Sequence, residues 1–76
     1  MDINIMEIIA KTFAVDVCTL STETRFNEDL DAESLQKFMI VADIEEITGK
    51  KITYQKFNKN CKTIGETIAF VKSLTE

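Results

Sequence analysis

Residues 34–48 run Ser34-Leu35-Gln36-Lys37-Phe38-Met39-Ile40-Val41-Ala42-Asp43-Ile44-Glu45-Glu46-Ile47-Thr48, and Gly49 follows. This is the strongest helical segment of the chain, and Gly49 is a good left-handed stop for it. At about 100° per residue, Ile40, Ile44 and Ile47 cluster on one side, with Val41 at the margin. Leu35, Phe38, Met39 and Ala42 cluster on the other side, roughly 180° away. A helix in a small bundle normally buries one stripe. The second stripe must be covered by another part of the chain or meet a partner, because contiguous exposed apolar patches mark interaction sites.

Working outward, residues 3–13 read as a helix with Ile5, Met6, Ile9, Ala10 and Phe13 on one face. Asp2 is its expected N-cap, and Ile8 falls off the stripe and is expected to be exposed. Residues 14–32 hold no sustained period. Val15, Val17, Leu20, Phe26 and Leu30 are scattered among polar residues there, which suggests a long loop that packs across the helices. A short helical turn over 54–58 is expected after Thr53. Thr63-Ile64-Gly65-Glu66 has the form of a capping box that opens a last helix with Ile64, Ile68 and Val71 inward and Phe70 and Leu74 to either side. The expected fold is all-α: three main helices, one short helix and a long first loop, in a small four-helix bundle.

The chain has 76 residues, so residues 1–76 make one domain with one small core, and a cleft enclosing a substrate is not expected. It has no His, which removes the commonest general base and metal ligand. Asp29, Asp31 and Glu33 are spaced like the opening of a calcium loop. Ser34 then stands where the loop needs Gly and Ile40 where it needs a bidentate Glu, so calcium is set aside. Cys18 and Cys61 are expected as reduced, core-side thiols of a cytoplasmic protein, since a secreted domain of this size would carry more cysteines. Met1-Asp2-Ile3-Asn4 has no basic n-region, so no signal peptide is expected. The longest apolar run, Phe38 to Ala42, is far short of the ~20 residues a membrane span needs.

Net charge is −4, which argues against a nucleic-acid backbone as partner. The charges are also segregated. Residues 27–46 hold seven acids and one base, Lys37, whereas residues 47–72 hold six lysines and one acid, Glu66. Acids bracketing an extra apolar stripe suit the docking of a basic partner.

Ser34 stands at the expected start of the central helix, where free amides and the positive dipole end favour an anion such as phosphate. A plain cap is the structural alternative. Phe26-Asn27-Glu28-Asp29-Leu30-Asp31-Ala32-Glu33-Ser34-Leu35 resembles the signature of acyl carrier proteins, in which an Asp-Ser-Leu triplet opens the second helix. The resemblance extends over essentially the whole chain, through Ile44-Glu45-Glu46 and the Thr-Ile before the last helix. The family usually has Gly at Asp31, Asp at Glu33 and an acid at Met39, and here there are also more lysines between Lys50 and Lys62.

The resemblance implies 4′-phosphopantetheine attached through a phosphodiester to Ser34, with an acyl group held on its thiol as a thioester. It implies no catalytic group on this chain. The expected partners are a phosphopantetheinyl transferase (a holo-carrier synthase) and acyl-transferring or chain-elongating enzymes with basic patches. Glu33, Leu35, Phe38, Met39, Ala42, Glu45 and Glu46 are the expected docking residues of a monomeric carrier. Fatty acid, polyketide, modified-lipid and aminoacyl or peptidyl chemistry all fit. An acidic helical adaptor without a prosthetic group is the competing reading, and it leaves Ser34 as a cap.

Overall fold

The computed structural model describes residues 5–75. The expected cap Asp2 and residues 3 and 4 of the expected first helix lie outside them. Four helices follow in order: α1 (Ile5–Phe13), α2 (Ser34–Thr48), α3 (Tyr54–Asn60) and α4 (Ile64–Thr75). The regular structure of the described residues is helical, apart from a single antiparallel bridge between Arg25 and Thr63. None of these helices is long and apolar enough to cross a membrane.

The helix ends follow from local chemistry. Gly49 takes a left-handed conformation at φ 69° and its N–H donates to the Glu45 carbonyl at 2.8 Å, closing α2. The Thr53 hydroxyl accepts from the Lys56 amide at 3.1 Å and opens α3, which runs two residues beyond the expected turn. The capping box of α4 is complete: the Glu66 amide donates to Thr63 Oγ1 and the Thr63 amide to Glu66 Oε1, each at 3.1 Å.

The loop from 14 to 33 contains a 3₁₀ turn at Val17–Thr19, capped by Asp16, whose carboxylate accepts from the Cys18 amide. Beyond it the loop is tied to α4. The Ile64 and Gly65 amides, which lack partners within their own helix, donate to the carbonyls of Thr24 and Thr22 at 3.0 and 2.9 Å. The approach is so close that a Cβ on Gly65 would sit 2.9 Å from the Thr22 carbonyl oxygen. Leu20 and Phe26 pack into the core as the scattered apolar pattern suggests, while Val15 and Val17 remain exposed. Phe26 is the pivot, with its ring 6.4 Å from Phe13 and 6.0 Å from Phe57, centroid to centroid.

Several expectations are corrected. Ile8 is half-buried and packs against the core instead of facing solvent. In α4, Thr67 is fully buried and Ile68 only half-buried. Threonine is tolerated there because its hydroxyl donates to the Thr63 carbonyl at 2.9 Å. In α2, Ile40, Val41 and Ile44 are buried as expected, but Ile47 is 45% exposed and Lys37 only 7% exposed. The buried arc is therefore centred near Lys37 and Ile44, and Ile47 falls at its edge, roughly 80° from the centre.

Cys61 is buried, but Cys18 lies on the exposed 3₁₀ turn and is not core-side. Burial pushes the Cys61 thiol up to about 11. A raised folded-state value means stability that is complete below the unfolded thiol value of 9.0 and is lost as pH rises toward about 11. At pH 8, titration of the native protein with a disulfide reagent should consume the Cys18 thiol at once, and Cys61 only after denaturation. Two fast thiols per native chain would contradict the burial of Cys61.

Candidate functional site

The site is assembled at the junction of the loop and α2. The Phe26 amide donates to the Lys62 carbonyl at 3.1 Å, and the Ala32 amide returns to the Phe26 carbonyl at 2.8 Å. The loop is thus anchored on the buried Phe26, which holds Ala32, two residues before Ser34. Between these anchors the Asp29 and Leu30 amides both donate to the Arg25 carbonyl, closing a turn. Arg25 pairs with Glu28 and with Asp29, its Nε 3.2 Å from the Asp29 carboxylate. The hydrogen bond from the Arg25 side chain is the main reason Asp29 is held below its usual carboxylate range. Asp31 bends the chain into the helix at φ 50°, a left-handed conformation that Asp tolerates better than most residues.

Ser34 is the first residue of α2 and is exposed. The capping position belongs to Glu33, whose amide donates to Gln36 Oε1 at 2.9 Å. The plain-cap alternative for Ser34 therefore fails, since capping is carried by its neighbours. A primary alcohol is left at the positive end of a 15-residue helix, beside the free amides of the first turn. That is a suitable seat for a phosphate ester, and the residues present fit a phosphopantetheine arm.

Along α2 the other expected site residues separate into two groups. Leu35, Phe38 and Met39 are 69, 51 and 49% exposed, and Ala42, Glu33 and Glu46 are exposed beside them, so the loop does not cover the second apolar stripe. Glu45 differs. It is half-buried, and its Oε2 accepts from the Ile52 amide at 2.8 Å, holding the connection between α2 and α3. An open depression lined by Glu45, Glu46, Gly49, Lys50 and Lys51 lies at that far end of α2, remote from Ser34. Among the described residues Arg25 pairs with Glu28 and Asp29, and the acids of α2 form no ion pair with a described residue.

Two features escaped the sequence reading. Tyr54 of α3 stacks on Phe38 with ring centroids 4.3 Å apart, extending the exposed apolar surface across two helices. Lys37 reaches inward, its Nζ donating to Asn27 Oδ1 at 2.7 Å and Asn58 Oδ1 at 3.2 Å. The available signal was its position as the only base among seven acids.

Comparison with known proteins agrees with this geometry. The family model for a phosphopantetheine attachment site matches residues 4–71. Acyl carrier protein 2 of Ralstonia nicotianae is 31% identical over 70 residues, which cover 92% of this chain and 85% of that protein. The acyl carrier protein of Lactobacillus acidophilus is 32% identical over 69 residues, covering 91% and 85%. That of Streptococcus pneumoniae is 31% identical over 68 residues, covering 90% and 86%.

Proposed function

We propose, for a chain that belongs to the acyl carrier protein family, that Ser34 is the residue that bears the phosphopantetheine arm. The protein acts as an acyl carrier: the arm's thiol holds an acyl group as a thioester, an activated carbonyl that partner enzymes elongate or transfer. The observation that carries the Ser34 assignment is its exposed hydroxyl at the start of α2, with capping delegated to Glu33 and Gln36. A phosphopantetheinyl transferase using Mg²⁺ and coenzyme A would form the phosphodiester.

This chain's own part is to present and to dock, and it supplies no catalytic group. Its first-turn amides and helix dipole stabilise the phosphate. Leu35, Phe38, Met39 and Ala42, bordered by Glu33 and Glu46, make the contact surface for partners with basic patches. We assign Glu45 mainly to holding Ile52, with a smaller share in docking. Two free thiols fit the reducing cytoplasm.

The adaptor alternative is separated by intact mass after co-expression with a broad-specificity transferase. Gain of one phosphopantetheine is the carrier result, and an unmodified mass with active transferase would leave the adaptor. Docking is tested separately with Glu46→Lys, an exposed change expected to alter stability by no more than about 0.5 kcal/mol. It should slow acyl transfer by a basic partner, and the loss should shrink with salt as the Debye length falls from about 10 Å at 0.1 M to about 3 Å at 1 M. Unchanged transfer kinetics would move the docking surface elsewhere.

A further inference from the structure

We propose that Lys37 sets the class of cargo, keeping long aliphatic chains out of the helical core and favouring short or oxygen-bearing acyl groups. The proposal rests on Ser34 bearing the arm. Lys37 follows Ser34 by one turn of α2 and is 7% exposed. Helical side chains lean back toward the helix N-terminus, so its ammonium lies beneath the turn that carries Ser34. There it meets Asn27 from the loop at 2.7 Å and Asn58 from α3 at 3.2 Å. The three side chains form a polar collar where the loop, α2 and α3 converge. Past the collar on the same side of α2 come Ile40, Val41 and Ile44, with Phe57 of α3 in the same buried cluster.

An aliphatic chain on an arm at Ser34 is drawn toward apolar surroundings, by about fourfold in equilibrium for each methylene that leaves water. The closest apolar interior is the core around Ile40 and Phe57, and Lys37 occupies the face of α2 between that core and Ser34. A chain entering there must part Lys37 from an asparagine or lie against the ammonium. Either leaves this part-buried ammonium short of a hydrogen-bond partner or pressed against aliphatic surface, and both are unfavourable for a charged donor. The carboxamides already satisfy the ammonium without neutralising it, as neither is a carboxylate. An ammonium has three N–H donors and two are engaged, so an acyl group with its own oxygen can use the third. A short acyl group has little to gain from the core.

The test loads wild type and Lys37→Met with acetyl, hexanoyl and decanoyl arms from the corresponding acyl-coenzyme A, using a broad-specificity transferase. Methionine keeps an unbranched apolar stem and removes the donors. Thioester cleavage by hydroxylamine and the amide chemical shifts of Ile40, Ile44 and Phe57 are then followed. In wild type, cleavage should be nearly independent of chain length and the core amides should stay in place. In Lys37→Met, decanoyl should be cleaved about fivefold or more slowly than acetyl, as burial of one or two methylenes requires, and the core amides should shift. Lys37→Leu removes the same ammonium and serves if Lys37→Met does not fold. Protection of decanoyl in wild type, or no gain of protection in the folded variants, overturns the proposal. Absence of any arm on Ser34 is read beforehand from intact mass, and it overturns the attachment assignment instead.

Discussion

Ser34→Ala is expected to take up no phosphopantetheine when incubated with coenzyme A, Mg²⁺ and a transferase, whereas wild type gains one. The loss should be complete, because attachment needs the hydroxyl as the atom that bonds to phosphorus and alanine has none. The variant should fold as well as wild type. Replacing a capping serine usually costs about 0.5–2 kcal/mol. Here Glu33 occupies the capping position and Gln36 receives its amide, so that penalty does not apply. Ser34 is also exposed and removes no core contact. Intact mass and a melting curve on the same sample check both halves. Persistent labelling of Ser34→Ala, or peptide mapping of the label to Ser21 or Ser73, would overturn the assignment.

Ile44→Ala is expected to be, with Ile40→Ala, among the most damaging single truncations in α2. Ile44 is fully buried, and truncations of this kind cost about 2–5 kcal/mol through lost burial and the residual cavity. A domain of 76 residues has a total of about 4–11 kcal/mol at 0.05–0.15 per residue, so the loss takes a large share of the stability and should lower the denaturation midpoint markedly. Met39→Ala, at a position 49% exposed, should cost little in stability and more in turnover by a partner enzyme. Phe38→Ala should fall between them, since losing the stack on Tyr54 removes about 0.5–1.5 kcal/mol beyond its area. Denaturant melts of the three variants, with partner turnover measured on each that folds, give the comparison. Equal destabilisation by Ile44→Ala and Met39→Ala would mean both faces of α2 are buried, contrary to their exposures.

The fold was legible because its determinants are local. Helix periods, the Thr63–Glu66 capping box, Thr53 and Gly49 act within four residues of themselves, and each does in the structure what its residue type predicts. The serine proposed to bear the arm was legible for a similar reason. Its surrounding string, from Phe26 to Leu35, is contiguous in the chain and carries the family resemblance. The free second face of α2 was legible as a question: its apolar residues could be named, but whether the loop would cover them could not.

Only the tertiary structure decided which residues those local elements turn inward. A helical period sets spacing but not the absolute direction of the buried face, and that direction depends on where the loop and α3 are tied. Backbone bonds from Ile64 and Gly65 to Thr24 and Thr22 pull the loop toward α4, and Phe26 is inserted between Phe13 and Phe57. The second apolar face is thereby left bare, Ile47 is turned to the edge, and Lys37 is turned inward onto Asn27 and Asn58. Those partners lie 10 and 21 residues away in sequence, and no local pattern links them. The sequence alone determined the helices, the caps that open α3 and α4, the glycine that closes α2 and the serine that heads it. The packing decided the second role of Glu45 and the burial of a lysine, because each depends on which group beyond its own helical turn can satisfy a donor or acceptor once the core has closed.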